Sequence, residues 1–200
     1  MRETGQRERI LEAAKRRFAH FGIAKTSLTE IADDLALTKQ ALSYYFPDKQ
    51  SLIREVTAGL LGQYLEQLEQ QLKANGSVHE ALLELVGLRG RFSRQYYLFF
   101  TQLEHDGQWF NRAAKATLLR LARREQLLLE ARLERGVSLG ELRTQDVRTA
   151  VRTLLDTLTM LGRVNRGCPP DEKVFAALEE KQRALITLIY NGLGNKPWKN

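Results

Sequence analysis

The sequence holds one cysteine in 200 residues, Cys168, so a disulfide within the chain is impossible and a zinc site built on several cysteines is excluded. Standing beside Pro169 and Pro170, it reads as a loop-flanking residue. Proline is scarce, at four residues, which leaves long stretches free of the residue that breaks helices. There are three histidines, His20, His79 and His105. None forms a His-Glu-x-x-His pattern or stands with the partners of a nucleophilic triad. His105 and Asp106 are adjacent, and adjacent side chains on a helix do not face each other. A glycine-rich phosphate loop is missing, as is any apolar run near the length of a membrane span or a leader's apolar core. An enzyme therefore has no visible machinery, no metal or other cofactor is expected, and the lone thiol fits a reducing cytoplasm.

What is present is apolar and helical. Hydrophobic residues make up 43% of the chain and charged ones 28%, enough of each for a soluble protein with a true core. The net charge of +7 suits an anionic partner. Residues 1–60 carry 10 Lys/Arg against 8 Asp/Glu, so only +2 lies there and +5 lies beyond. Bulk charge does not locate a binding face; a motif must.

Ile10, Ala14, Phe18 and Phe21 recur at helical spacing and predict a first helix over about 6–21, stopped by Gly22. Ser27-Leu28-Thr29-Glu30 is a capping-box pattern, in which the serine accepts from an early helical N–H and the glutamate reaches back. Leu28, Ile31, Ala32 and Leu35 give this short second helix its buried side. Thr38 caps a third helix only three residues after Leu35, and Pro47 ends it. Asp48 caps a long fourth helix whose apolar face runs from Leu52 to Leu72. Further helices are predicted near 78–88, 90–104, 110–135, 144–165 and 171–192. The expected breaks are Gly90, Asp106-Gly107, Gly136 to Gly140 and Gly167 to Pro170. The chain is therefore expected to be all-α, with about nine helices.

Residues 26–52 have the order short helix, tight turn, short helix. Ala32 is small where two helices must cross closely. Such a unit holds its second helix outward, where it can enter a major groove. Thr38, Lys39, Gln40, Ser43 and Tyr44 are then the side chains that face phosphates or base edges: glutamine pairs with adenine, and lysine reaches guanine acceptors. Lys49, at the start of the fourth helix, suits a phosphate clamp. Thr26 and Ser27, which begin the second helix, belong to the same face. The same periodicity also fits an ordinary three-helix packing unit with a solvated polar side.

This stretch resembles the TetR-type bacterial regulators. The resemblance is carried by Ile10, Ala14 and Phe18, then Phe21-Gly22, Thr26-Ser27 and Ile31-Ala32, and closes on Tyr45-Phe46-Pro47, Lys49 and Leu52. It covers about the first quarter of the chain. Beyond that, only helix count, length and the Gly140-Glu141-Leu142-Arg143 stretch match. It implies that helix three is a recognition helix and that Lys49 contacts phosphate. Two positions depart from the family. Its usual glycine is replaced by Ala36, at a cost of about 1–2 kcal/mol if the turn is left-handed there. Its usual tyrosine is replaced by Ser43.

The resemblance further implies a helix-turn-helix domain over 1–50 and an effector-binding and dimerisation domain over 51–200. Dimerisation is expected through the last two helices. Val151, Leu154, Leu158 and Leu161 on one, and Leu178, Leu185 and Ile189 on the other, form stripes broad enough to face both a core and a partner. Phe92, Tyr96, Tyr97, Phe99, Phe100, Trp109 and Phe110 are candidates to line a pocket for a largely apolar or aromatic effector, although each taken singly also suits plain core. Arg89, Arg91 and Arg94 precede them with no acid beside them, which fits an anionic end on that effector, a solvated face or an interface rim. The expected function is a dimeric, ligand-responsive repressor on an inverted-repeat operator. The alternatives are an activator of the same fold and a non-catalytic interaction module with a degenerate DNA-binding domain.

Overall fold

The computed structural model describes residues 2–74, 76–105, 112–144, 146–164 and 171–193. Every element of regular structure among them is an α-helix: α1 (Arg2–Phe21), α2 (Leu28–Asp34), α3 (Lys39–Tyr45), α4 (Lys49–Lys73), α5 (Val78–Gln95), α6 (Tyr97–His105), α7 (Arg112–Ser138), α8 (Val147–Val164) and α9 (Glu172–Leu193). The all-α fold expected from periodicity is the one observed. Two compact units are present. One comprises Met1–Gln63 with Gln95–Leu119, and the other Tyr64–Arg94 with Arg120–Asn200.

The first unit gathers its core from α1 to α4 and α6. Ile10, Phe18, Ile31, Leu42 and Leu52 are fully buried in it. The Phe99 ring of α6 stacks on Phe18 of α1 at 5.8 Å. The α1–α2 turn depends on Gly22, at φ 81°, a left-handed conformation that glycine adopts without penalty. A side chain there would also overlap the Gln102 amide. Between α2 and α3 the Leu37 N–H bonds the Ala32 carbonyl at 2.9 Å and the Ala36 N–H bonds that of Asp33 at 3.1 Å. This is a Schellman closure, and its left-handed position is Ala36, at φ 54°.

The second unit is built around Leu65, Leu68, Leu82, Leu85, Val86, Leu129, Leu133, Val151, Leu154, Leu158 and Ile186. A polar cluster joins four of its helices. The Tyr64 hydroxyl donates to Glu125 Oε1 at 2.5 Å, and Arg89 donates to the same oxygen at 2.8 Å and to Thr159 Oγ1 at 2.9 Å. Burial and the nearby carboxylate push the Tyr64 hydroxyl well above its ordinary range. Arg94 pairs with Glu179 at 3.2 Å. The acids missing beside Arg89 and Arg94 in sequence are thus supplied by α7 and α9.

The expected break at Gly90 is absent, and the one expected over Gly136 to Gly140 falls at its far end. The α5 helix runs through Gly90 to Gln95, and a Cβ at Gly90 would come within 3.3 Å of Glu179 Oε2 on α9. Gly136 lies inside α7, where a Cβ would clash with Val78. Both glycines admit a neighbour and do not end a helix. Gly140, at φ 76°, makes the turn after α7 as expected. Asp106-Gly107 and Gly167 to Pro170, with Cys168, lie outside the described residues. Among the described residues no helix is long and apolar enough to cross a membrane. Nor does any group of three or more His, Cys, Asp or Glu stand ready to hold a metal ion.

Candidate nucleic-acid interface

Two short helices and the start of α4 carry the site, and the first turn of each is held by a side chain. Ser27 Oγ accepts from the Glu30 N–H at 3.2 Å, while Glu30 Oε2 accepts from the Ser27 N–H at 2.7 Å. The capping box read from the sequence is therefore complete. Thr38 Oγ1 accepts from the Ala41 N–H at 3.1 Å and starts α3. Asp48 Oδ1 accepts from the Ser51 N–H at 2.6 Å and starts α4. These caps matter because seven-residue helices do not persist on their own hydrogen bonds.

The α3 helix buries Leu42 and turns its polar residues outward. Thr38, Lys39 and Gln40 are exposed, Ser43 is half-buried, and the Tyr44 ring is 75% exposed, edge-on to Tyr45 at 5.2 Å. An aromatic left this open on a small unit is a candidate contact surface. Lys49 is half-buried at the first position of α4. Burial lowers its ammonium pKa, and the Glu30 carboxylate opposes that shift.

Thr26 is placed differently from the others. It is 2% exposed, and its hydroxyl donates to the Gly22 carbonyl at 2.8 Å, closing the α1–α2 turn. Ser27 is exposed, its hydroxyl engaged in the cap. Residues 24–30, with Lys39 and Lys49, line an open groove of about 440 Å³. It brings together Thr26, Ser27, Lys39 and Lys49 of the sequence-derived candidates.

Sequence reasoning missed the residues that hold this face in shape. Arg17 of α1 donates to Asp34 of α2 through both Nε, at 2.6 Å, and Nη2, at 2.8 Å, and it lies 3.5 Å from Glu30. The Arg17 bond holds the Asp34 carboxyl below its ordinary range. Arg7 lies over the Phe46 ring at 5.1 Å and pairs with Glu55. The partners of Arg17 and Arg7 are far away in sequence, so no local spacing signals them.

The expected effector residues fall in both units. Phe92 belongs to the second, edge-on to Tyr64 at 5.4 Å. Tyr96, Tyr97 and Phe100 belong to the first. There Tyr96 meets Phe100 at 6.4 Å, and Phe100 meets Phe99 at 5.4 Å. Trp109 and Phe110 lie outside the described residues. Of the expected interface residues, Val151, Leu154 and Leu158 are buried in the second unit's own core. Leu161, Leu178, Leu185 and Ile189 are half-buried, while Met160 is 66% and Leu188 71% exposed.

Residues 10–56 match the pattern of bacterial regulatory proteins of the tetR family. No curated protein sequence matches the chain. Solved structures resemble nearly all of it. A transcriptional regulator from Cytophaga hutchinsonii is 22% identical, with a TM-score of 0.85, over 95% of this chain and 99% of that one. The TetR family regulator PfmR from Thermus thermophilus is 28% identical, with a TM-score of 0.68, over 94% and 99%. FadR from Bacillus subtilis, solved in complex with stearoyl-CoA, is 17% identical, with a TM-score of 0.68, over 93% and 98%.

Proposed function

We propose that this chain is a TetR-type, cytoplasmic, ligand-responsive repressor that binds an inverted-repeat operator as a dimer, because residues 10–56 match the tetR family and nearly the whole chain resembles a TetR family regulator of known structure. The observation that carries this reading is the outward face of α3, where Lys39, Gln40 and Tyr44 are exposed on a helix capped by Thr38, with Lys49 beside it at the start of α4. Lys49 and the exposed Ser27 hold the backbone, and the α3 side chains meet base edges. Residues 1–50 form the DNA-binding part, and 51–200 provide dimerisation and effector binding.

The dimer forms through α8 and α9. Leu161, Leu178, Leu185 and Ile189, with the exposed Met160 and Leu188, supply apolar surface that one chain leaves uncovered. Val151, Leu154 and Leu158 support that face from beneath. The effector is a small, largely apolar or aromatic molecule held near Phe92 or near Tyr96, Tyr97 and Phe100. The stearoyl-CoA complex of FadR is a precedent for an effector with a long apolar part. The effector acts by favouring an arrangement of the two helix-turn-helix units that no longer matches the operator.

A reporter gene tests the repressor reading, with a duplex selected by the protein placed in its promoter. Transcription is expected to fall when the chain is expressed and to recover when an effector is supplied. A rise on expression favours an activator of the same fold.

A further inference from the structure

The groove lined by residues 24–30, Lys39 and Lys49 contains three lysines, with Lys25 the third, and one carboxylate, that of Glu30. A carboxylate is an awkward neighbour for phosphate, and moving this one aside costs a helix cap. Its Oε2 accepts the Ser27 N–H at 2.7 Å, and its other oxygen lies 3.5 Å from Arg17 Nη1. Turning Glu30 away undoes the cap of α2. Arg17 neutralises it incompletely, since its two shorter bonds, at 2.6 and 2.8 Å, go to Asp34.

The cap itself does not need this charge. Glutamine serves the third position of a capping box as well as glutamate does, because an amide oxygen also accepts the cap N–H. The negative charge is therefore surplus to the cap, and its remaining structural share is the long Arg17 contact and the small benefit of an acid in the first turn of a helix. The Ser27 bonds, with Arg17 and Lys49 adding to them, hold the carboxyl below its ordinary range, so the charge persists at neutral pH.

We propose that Glu30 is a fixed electrostatic brake on phosphate binding in this groove, and so a residue that limits how tightly the protein holds any duplex. The inference rests on the reading of this face as the DNA-binding one. A carboxylate pinned among the lysines lowers the positive potential a phosphate meets, whatever the base sequence. Because the groove is open to solvent, salt screens the effect.

The test compares wild type with Glu30→Gln in the full chain, on the selected operator and on a scrambled duplex, across a salt series, with thermal melting measured alongside. Glu30→Gln is expected to melt close to wild type, because it keeps the cap and gives up only an exposed ion pair and one first-turn charge. At low salt it binds both duplexes about three- to tenfold more tightly, and the gain shrinks as salt rises. A role confined to capping moves affinity down or not at all. A second variant, Thr29→Glu, adds a carboxylate to the exposed first turn of α2, where an acid favours the helix. It is expected to weaken both duplexes by a similar factor. Glu30→Gln binding no more tightly than wild type, at unchanged melting, overturns the proposal. If Glu30→Gln melts early, Thr29→Glu binding as wild type does overturns it instead. A wild-type chain that holds no duplex sinks the DNA-binding reading itself; a flat response in a chain that binds DNA sinks only the role of Glu30.

Discussion

The Gln102 side chain accepts the Ala24 N–H at 2.8 Å, joining positions 78 residues apart in sequence. It ties α6 to the turn that leads into α2, and Gly22 leaves the space that Gln102 fills. With Phe99 stacked on Phe18, this bond makes α6 a working part of the helix-turn-helix unit. Gln102→Ala is expected to cost about 1 kcal/mol in chemical denaturation, the usual net loss for one hydrogen bond. Gly22→Ala is expected to cost more, since it meets both the left-handed backbone and the overlap. Equal and negligible losses would contradict the brace.

Ala36 offers a change in the stabilising direction. It sits at φ 54° in the α2–α3 turn, where an L-residue is strained by about 1–2 kcal/mol. Glycine removes that strain but loses about 0.5–1 kcal/mol in chain entropy. Ala36→Gly is therefore expected to raise stability by about 0.5–1 kcal/mol, read as a higher denaturation midpoint at unchanged slope. A lower midpoint would mean that the methyl group makes contacts which outweigh the strain.

The helix starts are legible in the order of residues. Ser27 with Glu30, Thr38, and Asp48 cap helices, and caps are local, so the order of residues discloses them. The family's glycine at the position of Ala36 raises a left-handed turn as a condition, which the φ of 54° meets. Periodicity does not carry α5 past Gly90, because a glycine that ends a helix and one that admits Glu179 look alike without the partner helix. Arg17–Asp34, Gln102–Ala24 and Arg89–Glu125 were hidden for the same reason. Each joins residues 17 to 78 positions apart, and no periodicity encodes such a pair.

The Arg17–Asp34 pair carries a pH signature. The Asp34 carboxyl is held below its ordinary value of 3.8, chiefly by the Arg17 bond. Stability from a depressed carboxyl is fully present above its unfolded pKa and is lost as pH falls through the lower folded value. Asp34→Asn is expected to cost about 1 kcal/mol near pH 7, modest because the pair is partly exposed. The difference from wild type should stay level down to about pH 5 and then shrink below about pH 4. A difference that instead grows with acid would show that Arg17 does not hold Asp34 in this way.

Assembly is tested at Leu188, which is 71% exposed. Leu188→Glu is expected to shift sedimentation from dimer to monomer at micromolar concentration while leaving helical content unchanged. Leu158→Glu is expected to unfold the second unit, because Leu158 is buried in that unit's own core. A wild-type monomer would sink the α8–α9 interface.

Lys49 and Gln40 should separate in solution. Lys49→Ala is expected to weaken operator and scrambled duplex by similar factors and to remove about one phosphate contact per subunit from the salt dependence. Gln40→Ala is expected to cost about 1–3 kcal/mol on the operator alone, if Gln40 reads a base, and to relax preference at one position in each half-site. A changed base preference in Lys49→Ala, with unchanged salt dependence, would reverse the two roles.

The central claim is that two copies of the α2–α3 unit read one duplex together. Selecting bound sequences from a random duplex pool with the wild-type chain tests it most directly. The account predicts enrichment of an inverted repeat whose half-site centres lie about 34–36 Å apart, or a multiple of that, on one face of the duplex. A pool that emerges from selection without any enriched sequence would contradict it.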